Sequence, residues 1–323
     1  MNTDVSSIIE NIRKYSGWDT LVELAKIKGF PGHRDISVYE VLSFLFMEMG
    51  RDSILIRASS ISFNFFVAIF PAILVMFTII PYIPVPNFQS ALLNTLSDVL
   101  PHNVYDLLNE TIEDIVTREQ GGLLSVSIIL SVYYASRGVM SLMNAFDKAL
   151  PTFRKRNFLN NQLVAFKILI LLFLLLVVSI TLFIGGEGII KWIMRLITAE
   201  SSTTYFWFTT IRWISVLAII YFSIALIYYF GPATHNRWRF FSAGATLACA
   251  LSIISSIIFS WLIDQFGQYN KLYGSIGTLL VMMIWLNYNS LSLLIGFELN
   301  ASIEMNKNIH KEGSLEKTFS GDL

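Results

Sequence analysis

Six long apolar stretches alternate with shorter polar segments along this chain. They cover approximately Ala58–Ile80, Leu123–Met143, Leu163–Gly185, Phe206–Phe230, Phe240–Ile263 and Gly274–Phe297. Each is long enough for the hydrocarbon core of a bilayer, which needs about 20 mostly apolar residues in helical form. Backbone polar groups in hydrocarbon must be satisfied within the segment, so the stretches predict helices. The pattern therefore predicts an all-α integral membrane bundle of six transmembrane helices.

The composition agrees with a membrane protein. Of the 323 residues, 54% are hydrophobic and 14% are charged, whereas soluble domains contain about 25% charged residues. The net charge of zero gives no sign of a nucleic-acid partner. Cys249 is the one cysteine, and its apolar neighbours predict an inert buried thiol rather than a disulfide or a metal ligand. No cofactor is expected.

Lysine and arginine residues are concentrated in alternate polar segments. They are frequent before the first stretch, in the loops after the second and fourth stretches, and in the C-terminal tail. Cytoplasmic segments carry the excess of basic residues, so both termini are predicted to be cytoplasmic. The predicted organisation is a cytoplasmic or interfacial helical segment over residues 1–57, a transmembrane domain over 58–300 with an outer helical loop at 81–121, and a cytoplasmic tail over 301–323.

Two polar segments have helical patterns of their own. In the N-terminal segment, Asp35 and Ser37 can cap an amphipathic helix that runs toward Arg51. Such a helix would lie on the membrane surface or pack beneath the bundle. On the other side of the membrane, residues 81–120 predict two amphipathic helices broken at Pro101, which together form an extracytoplasmic helical hairpin.

Small residues recur along one face of the fifth stretch. They are spaced four apart at Gly244, Ala248, Ser252, Ser256 and Ser260. Small residues in this register let two helices approach closely in lipid, so a packing ridge is predicted. A groove that lines a substrate path is the alternative. Gly274 and Gly277 of the sixth stretch are candidates for the same kind of packing, within one chain or between chains.

Polar residues in or beside the first, second and sixth stretches define a candidate substrate path or polar network. Its members are Arg57, Asn64, Arg137, Asn144, Tyr273, Asn287, Glu298 and Asn300. An ionisable residue such as Glu298 is costly against lipid and should face the protein interior or a wet cavity. Two roles stay open for it: a structural ion pair with Arg57 or Arg137, or a part in substrate binding or proton transfer. Both arginines could instead snorkel to the lipid headgroups.

Motifs for soluble enzyme chemistry are missing from the sequence. The four histidines are scattered, and there is no Walker loop, no G-x-S-x-G and no HExxH. ATP hydrolysis and the familiar hydrolase reactions therefore have no support. The sequence predicts no catalytic residue and no metal site.

Four sequence blocks carry a resemblance to a known family. The blocks are Arg57–Phe63 running on to Phe70–Pro71, Ala135–Gly138 with Asn144–Phe146, Tyr229–Pro232 with Trp238 and Ala243–Gly244, and Tyr273–Gly277 with Trp285 and Gly296–Ala301. Over roughly residues 51–304 the chain resembles the YihY/BrkB family of bacterial inner-membrane proteins, formerly labelled ribonuclease BN. The resemblance implies a six-helix protein of the inner membrane. Family members have been associated with virulence or serum resistance, and movement of a lipid or another amphiphile has been suggested.

The residues do not support the ribonuclease label of that family. A nuclease needs metal-binding carboxylates or histidines and a basic surface for phosphates, and the sequence shows neither pattern. The leading hypothesis is a transporter or flippase-like protein for a lipid or another amphiphilic solute. The alternative is an envelope scaffold whose outer hairpin contacts a partner; a lipid-modifying enzyme would need a reactive cluster that the sequence does not supply. Expected partners are membrane lipids, with an envelope protein or a second copy of the chain left open, and no nucleic acid.

Overall fold

The computed structural model describes most of the apolar part of the chain. The described residues are 29–30, 33–37, 39–41, 43, 47, 54–82, 90, 93, 113–114, 117–147, 153–154, 156–197, 202–234, 237–266 and 270–320. Within the helices, the side chains of residues 180–209, 211–212, 263–266, 270–276, 278 and 310–320 are not described.

Six long helices account for the apolar stretches, as predicted. They are α1 (Ile54–Thr78), α2 (Gly121–Ala145), α3 (Phe158–Ile197), α4 (Ser202–Phe230), α5 (Ala243–Phe266) and α6 (Asn270–Ser320). A short 3-10 turn over Ile80–Tyr82 follows α1. Each helix contains a segment long and apolar enough to cross a membrane. The prediction of an all-α bundle with six transmembrane helices is confirmed.

The helices extend beyond the apolar stretches that predicted them. The clearest case is α6, which continues from the apolar stretch through to Ser320. Hydropathy marks only the part of a helix suited to hydrocarbon, whereas a polar sequence of good helix formers can prolong the same helix beyond it. Pro71 lies inside α1, where proline removes one backbone hydrogen bond, and the helix nevertheless runs on to Thr78.

The helices pack mainly in three pairs. α1 packs along α2, α5 along α6, and α1 and α6 pack against each other; α3 contacts α2 and α4. The buried core lies at the end of the bundle where α2 and α4 finish and α3 and α5 begin. Its largest completely buried side chains include Phe146, Phe297, Leu142 and Ile61. We call this end the basic end, because Arg57, Arg137 and the arginines of the two adjoining loops lie there.

A short hairpin precedes the membrane helices. Strands β1 (Gly29–Phe30) and β2 (His33–Ser37) pair antiparallel, an element that the sequence patterns did not predict. After β2, Ser37 caps a helical segment as predicted: the Glu40 N–H donates to Ser37 Oγ at 3.2 Å, and the Ser37 N–H donates to Glu40 Oε2 at 3.0 Å. Asp35, the other predicted cap, lies within β2.

The described part of this N-terminal helical segment packs against the bundle. Val41 is completely buried and forms a small apolar cluster with Leu299 and Ile303 of α6. This contact favours packing beneath the bundle over free attachment to the membrane surface. The predicted outer hairpin over residues 81–120 lies largely outside the described residues.

Candidate functional site

A single guanidinium connects three helices at the basic end. Arg57 Nη2 donates to Glu298 Oε1 at 2.9 Å, which joins α1 to α6. Arg57 Nη1 donates to the backbone carbonyl of Ala145, the last residue of α2, at 2.7 Å. The side chain of Glu298 is 1% exposed and that of Arg57 is 19% exposed. The ion pair is therefore open to a polar environment only on its arginine side.

A cluster of aromatic rings includes Phe297, the residue before Glu298. Phe297 stacks on Phe146, with ring centroids 4.4 Å apart. The ring centroid of Trp238 lies 5.5 Å from that of Phe297. The Tyr228 hydroxyl donates to the carbonyl of Leu293 at 2.5 Å, which ties α4 to α6. Coulomb attraction is stronger in such a low-dielectric region than in water, and the cost of desolvating the charges is also high.

A polar groove lies between α1 and α2 on the arginine side of the pair. Its volume is about 350 Å³, and its lining consists of Arg57, Ser60, Asn64, Arg137, Met140, Ser141, Asn144 and Ala145. Ser60 Oγ and Ser141 Oγ share a hydrogen bond of 3.3 Å between the two helices. Arg137 and Asn144 are exposed to the groove rather than buried in the core. Four of the eight residues of the candidate polar network thus line one groove.

The other members of the predicted network lie elsewhere. Asn287 donates through Nδ2 to Ser59 Oγ at 3.0 Å, a further link between α6 and α1. Asn300 accepts from the Gly244 N–H at 2.8 Å and donates to Ser242 Oγ at 2.9 Å, so its amide fixes the start of α5. Tyr273 lies in α6, and its side chain is outside the described part of the structure.

The small-residue ridge of α5 faces α6. A Cβ atom added to Gly244 would collide with the carbonyl oxygen of Gly296, and one added to Gly296 would collide with that of Gly244. Further along, Ala248 is completely buried, and Trp285 of α6 donates to Ser256 Oγ at 3.2 Å. Sequence reasoning identified Gly244 but missed Gly296 as its packing partner; the available signal was the position of Gly296 in the last family block. Gly277 is partly buried, and the surroundings of Gly274 are not described.

A second cavity at the basic end was missed by sequence reasoning. It has a volume of about 460 Å³ and lies where the loop before α3 meets the end of α4. Four cations line it: Arg154, Arg156, Lys167 and Arg237. In the sequence, the arginines stand out only as loop charges that indicate membrane orientation. Their convergence depends on a contact between two loops distant in sequence, which a charge count does not reveal.

No group of three or more metal-binding side chains (His, Cys, Asp or Glu) occurs within the described residues.

The fold and the groove define a multi-pass α-helical membrane protein with a polar site at one end of the bundle. Residues 45–319 match the family described as "Virulence factor BrkB", and the chain belongs to this family. The match covers all six membrane helices.

Proteins of similar sequence support membership of the same family. The chain is 25% identical to "Putative ribonuclease-like protein YfkH" of Bacillus subtilis over 79% of its own length and 92% of the relative's length. It is 24% identical to "UPF0761 membrane protein MS0032" of Mannheimia succiniciproducens, over 82% and 87% of the two lengths. A UPF0761 membrane protein of Tolumonas auensis is 35% identical over 25% of this chain. No solved structure matches the chain.

Proposed function

We propose that this protein moves an amphiphilic solute, such as a lipid, across a bacterial inner membrane in which both of its termini are cytoplasmic. The polar head of the solute would enter the groove between α1 and α2, while its apolar part stays in the surrounding lipid. The observation that carries the proposal is the exposed arginine in this groove, Arg137, next to an ion pair that is accessible only through Arg57.

Arg57 and Arg137 lie in a groove between two membrane helices, where a charged side chain is unfavourable unless something compensates for it. Charged side chains at membrane depth are costly unless they face protein or a wet cavity, and they commonly mark the paths of substrates or ions. The surface beside the groove is apolar: Phe63, adjacent in sequence to Asn64, is 55% exposed, and so is Tyr133, one helical turn before Arg137. A polar groove bordered by exposed aromatic side chains matches a molecule with a polar head and an apolar tail.

Arg57 offers a way to couple the solute to the helix bundle. Its guanidinium already binds Glu298 and the end of α2, and its partly exposed side lines the groove. An anionic head in the groove would compete with Glu298 for this cation. Such competition would loosen the contact between α1 and α6 without breaking the aromatic core beside it.

Transport by the purified protein in liposomes tests this proposal. Fluorescent phosphatidylglycerol and phosphatidylcholine would be incorporated separately, and dithionite quenching would report how fast labelled lipid reaches the outer leaflet. We expect Arg137→Gln to slow movement of the preferred lipid by about tenfold, because one charge-assisted hydrogen bond contributes about 1.5–3 kcal/mol. The groove is on the surface, so the variant should fold normally.

The matched control is Arg118→Gln, which removes the same charge at the opposite end of α2. Arg118 is exposed and pairs only with the nearby Asp114, at 3.1 Å, among the described residues. Equal rates for the unsubstituted protein, both variants and empty liposomes, with all proteins folded, would contradict the transport proposal. That result would favour the alternative of an envelope scaffold.

A further inference from the structure

The basic cavity at the ends of α3 and α4 has a fixed framework. Phe153 and Thr234 pair as an isolated antiparallel bridge, and the Arg154 N–H donates to the Ala233 carbonyl at 2.7 Å. These two contacts hold the loop before α3 against the loop after α4. The cavity between them is therefore shaped by backbone contacts and not by surface side chains alone.

Arg156 braces the wall of the cavity. Its Nη1 donates to the Gly231 carbonyl at 2.9 Å, and its Nη2 donates to the Pro232 carbonyl at 2.8 Å. Both nitrogens also lie 3.3 Å from the Phe230 carbonyl. A cation is favourable here, because the last carbonyls of a helix carry partial negative charge. Arg156 is thus held in place by α4.

Two further cations sit on aromatic rings in the same cavity. Lys167 Nζ lies 4.1 Å from the ring centroid of Phe230. The guanidinium carbon of Arg237 lies 5.3 Å from the ring centroid of Tyr229 and 5.7 Å from that of Phe230. Cation–π contacts orient a charge without neutralising it. Both side chains therefore keep hydrogen-bond donors available to a ligand.

The cations in the cavity repel one another. Burial, followed by the nearby charges of Arg154 and Arg237, lowers the pKa of Arg156 below its ordinary value, and Asp147 opposes this shift only in part. No acidic residue lines the cavity, and within the described residues none of its four cations forms an ion pair closer than 4 Å. An anion bound in the cavity would relieve this repulsion.

We propose that the basic cavity binds an anionic phosphate group. Arginine side chains suit phosphate because their planar donors match its oxygens, and a lysine adds a point charge. Asn157 and Asn160 supply further polar groups, and Leu163 and Val164 form an apolar edge. The phosphate belongs either to a lipid headgroup or to a small soluble phosphate compound. The site shares no residue with the groove between α1 and α2.

Binding to the full-length protein in detergent tests this proposal. Native mass spectrometry would count bound dioleoyl phosphatidylglycerol and, separately, dioleoyl phosphatidylcholine at equal concentrations, with and without inorganic phosphate as competitor. We expect phosphatidylglycerol to bind more tightly than the zwitterionic lipid, and Arg237→Gln to weaken this binding by about tenfold. Arg237 contacts aromatic rings and no backbone carbonyl in the described structure, so the variant should keep its fold.

Arg239→Gln is the matched control, because Arg239 is an exposed arginine of the same loop that does not line the cavity. It should bind phosphatidylglycerol like the unsubstituted protein. If inorganic phosphate displaces the lipid, a soluble phosphate is the better ligand; if it does not, the site takes a lipid headgroup. The proposal is overturned if phosphatidylglycerol binds no better than phosphatidylcholine and inorganic phosphate does not bind, or if Arg237→Gln and Arg239→Gln weaken binding equally.

Discussion

The ion pair between Arg57 and Glu298 is asymmetric at the scale of single residues. The carboxylate is enclosed by protein, whereas the guanidinium reaches the groove. Removing one partner of a buried pair costs most when the charge left behind is the more deeply buried one. The two partners should therefore differ in how strongly their substitution destabilises the protein.

We expect Arg57→Gln to reduce the free energy of unfolding by about 3–5 kcal/mol, because it withdraws the cation from a completely buried carboxylate. Glu298→Gln should cost roughly half as much, since the remaining arginine can reorient toward the groove and water. Denaturant titration of the detergent-solubilised protein, followed by circular dichroism, would measure both values. Arg137→Gln, which removes an exposed cation nearby, should change stability by less than about 0.5 kcal/mol. A larger loss for Glu298→Gln than for Arg57→Gln would contradict this account.

At the scale of elements, α5 and α6 are held by direct contact between their backbones. The carbonyls of Gly244 and Gly296 occupy the space that side chains would fill. Lipid provides no hydrophobic drive for two helices to associate, so close packing and hydrogen bonds between helices must supply the stabilisation. The amide of Asn300, bonded to both Ser242 and Gly244, completes this contact.

Gly296→Ala should destabilise the protein by about 1–3 kcal/mol or more, because the new methyl group meets the backbone of α5 and cannot rotate away. It would also lie 2.6 Å from the Tyr228 hydroxyl and 2.7 Å from the Ala248 Cβ. Thermal unfolding in detergent measures the change. Gly122→Ala is the control, since nothing lies within 4 Å of the place that its new methyl group would take, and it should be neutral or slightly stabilising. An equal effect of the two substitutions would mean that the α5–α6 contact is looser than the structure indicates.

At the scale of the whole molecule, the distribution of basic residues predicts which side of the membrane each end faces. Arg239 lies at the basic end and Arg118 at the opposite end of α2, and both are exposed. Cys249, the one cysteine of the chain, is 8% exposed. The protein therefore offers a low background for labelling of introduced cysteines.

In intact cells, a membrane-impermeant maleimide should label Arg118→Cys but not Arg239→Cys. After permeabilisation it should label both, because the basic end is predicted to face the cytoplasm. The unsubstituted protein, with only its buried Cys249, measures the background. Labelling of Arg239→Cys before permeabilisation, with Arg118→Cys protected, would reverse the predicted topology.

Sequence patterns predicted the elements better than the contacts between them. The helices followed from stretches of apolar residues. Glu298, just after the sixth stretch, was expected to face the protein interior or a wet cavity, and it is buried in the interior. Periodicity shows which residues share a face of one helix, but not which helix packs against that face. It therefore could not choose between Arg57 and Arg137 as the partner of Glu298. The basic cavity depends on the pairing of Phe153 with Thr234, a contact between distant loops that no local pattern contains.

The continuity of α6 has a mechanical consequence. The helix has 51 residues, Asn270–Ser320, and so is about 76 Å long at 1.5 Å per residue. About 33 Å of it follows Glu298, the point at which Arg57 holds it. A continuous helix acts as a lever: a tilt of about 10° at that point would carry the far end through about 6 Å. A small displacement at the ion pair would thus become a large one outside the membrane core.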